Sequence, residues 1–335
     1  MPANLSDFGI LVIINGIYRR SKEVIQRSQT QLDSWTPSAR VQPRAEAAPV
    51  EETWPPSTRL LTDWRNSACD CLDILHWSAN SRIAGCGGWE HPTVLHLHLA
   101  RLVLLTPTSH LANLASRPVS PGSKNTPFGS RTSSVRTSHS RVLQWAIRDQ
   151  FKARLSIIHA GAIFWHVRRY SIDSILEPYA IYTAALVIWA YSLMTQLGRQ
   201  QSNSTTGATP DRELRDDANQ ASATQGEGES AELDVSFIHI DRPCDDEMVQ
   251  SFARFGHKMS GHMLRVGDIC AADAPRKILR EGIRLLGDNP DGASEHEMAD
   301  GTRNTTVHGQ AQYTWGVERL YAGSLKQLMS NSEYV

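Results

Sequence analysis

KARLSIIHAGAIFWHVRRYSIDSILEPYAIYTAALVIWAYS, residues 152–192, decides the reading of the fold. With Phe151 before it, the first half carries Phe151, Leu155, Ile158, Ala162 and Trp165 at spacings of 4, 3, 4 and 3, the period of an amphipathic helix. Arg148, Lys152 and Arg154 fall off that stripe. The pattern breaks at Ser171–Ser174, and from Pro178 to Gly198 the chain then runs twenty-one residues without a charge. By length alone such a run spans a bilayer. Its Thr183, Ser192, Thr195 and Gln196, its opening proline and the lack of a second run favour a helix buried on all sides of a large helical domain. Two apolar helices with so short a joint are expected to pack antiparallel.

Working outward, Pro92 suits the first turn of a helix running to Leu105 and stopping at Thr106–Pro107. Asp245, Asp246 and Glu247 follow Pro243, where carboxylates favour the positive end of a helix, and Val249, Phe252, Phe255 and Met259 supply its apolar side. Pro275 opens another helix whose Ile278, Leu279, Ile283 and Leu286 are expected to face inward. The N-terminal apolar run Phe8–Tyr18 follows Asp7 and lacks a positive flank or a small-residue cleavage pattern, so a secretory signal is not expected. No Val/Ile/Thr alternation supports a sizeable sheet. Three stretches read as loop or disorder: 116–140, rich in Ser, Thr, Pro and Arg; 198–232, with Leu214 its one large apolar residue; and 291–312.

The expected architecture is therefore all-α. A multi-helix domain over 1–197, with a loop at 106–140, is followed by a disordered acidic linker at 198–232 and a helical continuation over 233–335, flexible at 291–312. Trp77, Trp89, Leu99, Phe164, Trp165, Trp189 and Phe252 are the expected core anchors.

Composition narrows the function classes. The 335 residues are 40% hydrophobic and 21% charged, with a formal charge of −1, which excludes a globally basic nucleic-acid binder. The balance hides two opposed stretches: residues 101–169 carry a net +10 and residues 211–247 a net −9, and their mutual attraction is the simplest reading. Five scattered cysteines do not make a disulfide scaffold and point to a reducing compartment.

The chemistry-bearing residues do not assemble into a motif. Cys69, Cys71, His76, Cys86 and His91 invite a zinc site, but no Cys-x-x-Cys occurs, and on a helix Cys69 and Cys71 point about 200° apart. His96 and His98 fail by the same geometry; His159 and His166 share a face without an acid or cysteine close by in sequence. Asp245-Asp246-Glu247 lacks the further acid of a magnesium–diphosphate site, Val249 standing in its place. Arg168-Arg169, between Trp165 and Tyr170, reads as a helix C-terminus before it reads as a nucleic-acid patch. Ser120-Pro121 and Arg131–Ser134 are weak phosphorylation matches. No catalytic, cofactor-binding or metal-binding residue is assigned, and an enzyme is not expected.

Residues 70–107 (DCLDILHWSANSRIAGCGGWEHPTVLHLHLARLVLLTP), 152–192 and 240–286 (IDRPCDDEMVQSFARFGHKMSGHMLRVGDICAADAPRKILREGIRLL) resemble the fungal-specific transcription factor domain. The subgroup is that found with C2H2 zinc-finger factors of filamentous fungi. NLSDFGILVIINGIYRR (4–20) resembles its opening helix and the region of Trp315 its closing one. The resemblance implies a helical regulatory, or middle-homology, domain in the nucleus, acting on RNA polymerase II transcription through co-regulators or the transcription machinery, with pairing of two copies among the expectations. It implies no catalytic residue. The family's zinc belongs to a finger module of Cys-x2-4-Cys with paired His, or to a six-cysteine cluster, and neither pattern occurs here, so DNA contact is expected only through a module missing from this sequence. The fingers either precede this chain in a longer gene product or are lost in a paralogue. Two readings compete: a helical enzyme with an unrecognised active site, and a membrane-associated protein held through 178–198.

Overall fold

The computed structural model describes residues 5–29, 59–83, 90–116, 130–206, 237–256, 258–287 and 316–331. Among them run ten helices and a three-stranded sheet, in the order α1 (Asp7–Gln29), α2 (Arg59–Ile83), α3 (Thr93–Leu105), α4 (Thr108–Ala115), α5 (Ser130–Ile147), α6 (Gln150–Tyr170), α7 (Glu177–Thr206), β1 (Phe237–His239), α8 (Asp246–Phe255), β2 (Ser260–Met263), β3 (Gly267–Asp268), α9 (Ala274–Leu285) and α10 (Val317–Asn331). The fold is mostly α.

Helix α3 shows why an apolar run of this length folds here. Its thirteen residues are flanked by Pro92, in helical geometry, and by Thr106, which is extended and ends it. Leu95, Leu99, Leu102 and Val103 enter a large core shared with α4–α10, while Val94, Leu97, Ala100 and Leu104 enter a smaller one against Ile10 and Ile14 of α1 and Ala68, Leu72, Leu75 and Ala79 of α2. A helix with a core on each side has no polar face to offer. Its last turn is closed from outside: the Trp145 indole N–H, fully buried, donates to the Leu105 carbonyl at 3.0 Å.

Helix α7 is the axis of the large core and packs against α3, α4, α5, α6, α9 and α10. Glu177–Arg199 is long and apolar enough to cross a membrane, yet 72% of its apolar window is buried inside the body. Its entry is held by one buried carboxylate. Glu177 accepts from Ser171 Oγ (2.5 Å) and from the backbone N–H groups of Ile172 (3.0 Å) and Ser174 (3.2 Å), which fixes a joint where Asp173 sits at φ 54°.

The close-packed face of α6 differs from the expected stripe. Phe151 is exposed and Leu155, Ile158, Ala162 and Trp165 are half-buried, whereas Ala153, Ile157, Ala160, Ile163, Phe164 and Val167 are buried. Neighbouring helices approach most closely where side chains are small, so Ala153, Ala160 and Gly161 share the contact face with Ile157, Ile163 and Phe164. Gly161 is the clearest case: a Cβ there would lie 2.1 Å from the Ile240 carbonyl oxygen, just after β1. Gly282 similarly brings α9 onto α7, where a Cβ would meet that of Ala185 at 2.9 Å.

Of the expected anchors, Leu99, Phe164, Trp189 and Phe252 are core residues. Trp165 is half-buried and Trp77 is 65% exposed. The buried positions of α2 are Ala68, Leu72, Leu75 and Ala79; Trp77, two residues past Leu75, is turned about 200° from it. Trp89 and Trp315 lie outside the described residues.

The stretch 106–140, expected as a loop, contains α4 and the start of α5. Leu111, Leu114, Val142, Trp145 and Ala146 are buried along these two helices, and His110 Nδ1 meets Ser138 Oγ at 3.1 Å between them. The Ser- and Arg-rich start of α5 reads as irregular chain when burial is not visible, and α4, eight residues between Pro107 and Ser116, is too short to show a clear period. Helix α7 runs to Thr206, into the expected linker, while 207–232 and 291–312 lie outside the described residues. The small sheet was not anticipated: β1 pairs parallel to β2 (Ile238 with Gly261), and β2 antiparallel to β3. Helix α9 has the expected inward face, with Ile278, Leu279, Ile283 and Leu286 buried, and in α8 Phe252 is buried but Phe255 is 54% exposed.

Candidate functional site

Three arrangements bring chemistry-bearing side chains together. The first is a buried histidine row. His98 of α3 and His159 of α6 meet Nδ1 to Nδ1 at 3.0 Å, and the ring of His76 from α2 stands edge-on to His98 at 4.9 Å between centroids. Burial pushes His98 and His159 well below the ordinary histidine value; His76 and His166 add to this at His98, and Arg101, His98 and His76 at His159. His76 is lowered by burial too. Burial thus favours the neutral form along the row, with His98 and His159 in the core and His76 half-buried at its end.

The other sequence candidates separate. His166 leaves His159 and binds Glu90 (Nδ1 to Oε2, 2.7 Å), an acid 76 residues away that spacing could not reveal. His91 pairs with Asp7 at 3.1 Å and with the Thr93 hydroxyl at 2.9 Å. Cys69 and Cys71 are half-buried against the smaller core, burial raising the Cys69 thiol, and Cys86 lies outside the described residues. Among the described residues no group of three His, Cys, Asp or Glu stands ready to hold a metal ion. Asp245, Asp246 and Glu247 are exposed at the start of α8, where Asp245 is the N-cap residue. Ser120 and the side chains of residues 131–134 are outside the described set.

The second arrangement is an ion network under α6. Arg168 donates from Nη1 to Oδ2 of Asp241 at 2.5 Å and stands 3.3 Å from Glu281 Oε1, which with Oε2 also binds Arg284 at 2.8 Å. Asp241 is fully buried and takes a second hydrogen bond from the Leu264 N–H at 2.9 Å. Arg168 belongs to the basic stretch and Asp241 to the acidic one, so here the two attract within the chain. Arg168 is a strut, not a surface cation; Arg169 alone is exposed, its guanidinium 5.7 Å from the Trp165 ring centroid.

The third is a cavity of about 220 Å³ between α1, α3 and α7, lined by Ile14, Asn15, Tyr18, His96, Leu99, Ala100, Leu176 and Tyr179. Its wall is largely apolar, with a phenol pair: Tyr18 Oη and Tyr179 Oη are 3.0 Å apart. Burial, and then the bond to Tyr18, push Tyr179 up to about 12. Burial lowers His96, so its imidazole is neutral at pH 7. None of these residues belongs to a sequence motif. Tyr18 and Tyr179 are 161 positions apart, and only the packing of α1 on α3 and α7 joins them.

No family model, curated protein or solved structure matches the chain.

Proposed function

We propose that this chain is the helical regulatory body of a fungal RNA polymerase II transcription factor. It works in the nucleus by presenting surfaces to co-regulators or the transcription machinery, and leaves DNA contact to a zinc-finger module. The observation that carries this reading is the placement of the stretches that resemble the fungal domain. Residues 4–20, 70–107, 152–192 and 240–286 are separated in sequence, yet their helices α1, α2, α3, α6, α7, α8 and α9 form a single packed assembly through α3, α6 and α7. The burial of α7 supports its role as a core helix over a membrane span.

The test is a fusion to a heterologous DNA-binding module in a fungal host. A reporter bearing that module's sites should change several-fold, up or down, relative to the module alone. A nuclear, well-expressed fusion that leaves the reporter unchanged would overturn the proposal. Alkaline carbonate washing of the same cells addresses the membrane reading, since a core helix α7 predicts release into the supernatant.

A further inference from the structure

The histidine row crosses the seam between two parts of the body. On one side of α3, the smaller core gathers Leu72, Leu75 and Ala79 of α2 with Val94, Leu97 and Leu104 of α3. On the other, α3 enters the large core that it shares with α6 and α7. Helix α2 packs chiefly on α1 and α3, whereas α7 is held by six helices. Lifting α2 therefore uncovers less apolar surface than opening the large core, and it is the cheaper local opening. His76 comes from α2, His98 from α3 and His159 from α6, so the row runs from the half-buried α2 end inward.

The closed body has no place for an added proton on the inner pair. Nδ1 of one ring donates to Nδ1 of the other at 3.0 Å, so a proton on the acceptor sets two N–H groups against each other. A proton on the far nitrogen of the donor leaves a buried cation instead. The charges around the pair do not offset it. Arg101 stands near His159, and its carboxylate partner Asp73 belongs to α2; His166 of α6 adds another imidazole beside His98. Glu90, which also binds His166, and Asp246 act on His76 and favour a proton at the outer end.

We propose that the row is a proton-operated latch on α2: mild acid lifts α2 from α3 while α6 and α7 stay packed. The opened form binds protons that the closed form excludes, so each ring that reaches water favours opening by up to about tenfold between pH 7.5 and 5.5. His76 and His98 are the rings that α2 uncovers, and the apolar face released on α3 is that of Val94, Leu97, Ala100 and Leu104.

Native-state amide hydrogen exchange on the purified chain, corrected for the intrinsic effect of pH, reads this opening helix by helix. Protection at Leu72–Ala79 should fall by roughly tenfold or more from pH 7.5 to 5.5, and at pH 5.5 these amides should exchange at least about tenfold faster than Ile181–Ala190 of α7. Imidazole nitrogen shifts of His98 and His159 should stay those of neutral rings in the folded chain over the same range. In the His76→Leu/His98→Leu variant, shown by circular dichroism to be folded, the fall at α2 should vanish. Protection at α2 that ignores pH, equal exchange of α2 and α7 at pH 5.5, or titration of either inner ring near pH 6.5 in the folded chain would each overturn the proposal. So would a fall that survives in the folded variant.

Discussion

His98 and His159 lie Nδ1 to Nδ1 at 3.0 Å, from helices 61 residues apart in the chain. Such a contact is a hydrogen bond when the accepting ring is neutral with its proton on Nε2, so two neutral rings must be of opposite tautomer, the donor carrying its proton on Nδ1. A proton added to the pair would place two Nδ1–H donors, or a cation beside Arg101, in the core. Both rings are accordingly held well below the ordinary histidine value.

The sign of the resulting pH dependence follows. Above pH ~6.5 neither folded nor unfolded chain protonates these histidines, and stability is complete. Below it the unfolded chain takes protons that the folded chain refuses, so stability falls as pH drops, by up to about 1.4 kcal/mol per pH unit for each histidine. Urea unfolding between pH 7.5 and 5 checks this. Replacing the pair with apolar residues, His98→Leu with His159→Phe, should flatten the profile.

The glycines of α6 and α1 should respond in opposite directions. Gly161→Ala places a methyl 2.1 Å from the Ile240 carbonyl oxygen and should cost about 1–3 kcal/mol, as overpacking does. Gly16→Ala meets nothing within 4 Å in the middle of α1 and should stabilise by about 0.5–1 kcal/mol. Thermal denaturation of the two variants gives the comparison directly.

Glu177→Gln should weaken the joint between α6 and α7. The amide keeps one acceptor oxygen where the carboxylate offered two, so with Oε1 kept for the Ile172 and Ser174 N–H groups the Ser171 hydroxyl loses its acceptor, and all three bonds lose the carboxylate charge in a part-buried setting. A loss of about 1–3 kcal/mol is expected from chemical denaturation, with hydrogen exchange accelerated first at Ile172 and Ser174.

Tryptophan replacements separate core from surface. Trp189→Ala should cost about 3–5 kcal/mol, since its ring is 4% exposed in the large core. Trp77→Ser should change stability by no more than about 0.5 kcal/mol, since the ring is 65% exposed. Midpoints of guanidinium unfolding measure both.

What could be read along the chain was local. Pro92 and Thr106 bounding α3, the carboxylates at the start of α8 and the 3.6-residue pattern of α9 are signals carried by neighbours in sequence, and each element stands where they put it. The uncharged run from Pro178 was legible as a core helix because an apolar surface on all sides must be covered on all sides. The reading failed where burial depends on distant partners. In α6 the stripe from Phe151 to Trp165 looked like the core face, yet the buried face is the neighbouring one of Ile157, Ala160, Gly161, Ile163 and Phe164, where Ile240 returns from β1 to lie on Gly161. A polar composition hid the start of α5, and a length of only eight residues hid α4, though the apolar residues of both find α7.

The sites were less legible still. Sequence alone determined a mostly helical chain, the places of its main apolar helices and the opposed charges of the stretches 101–169 and 211–247, since periodicity, capping and charge are properties of adjacent residues. Tertiary structure alone decided that His98 would face His159, that Arg168 would be locked to Asp241, and that Tyr18 and Tyr179 would meet beside an open cavity. Each of these pairs spans at least 61 residues of chain, and which members meet is set by helix packing, which no local pattern encodes.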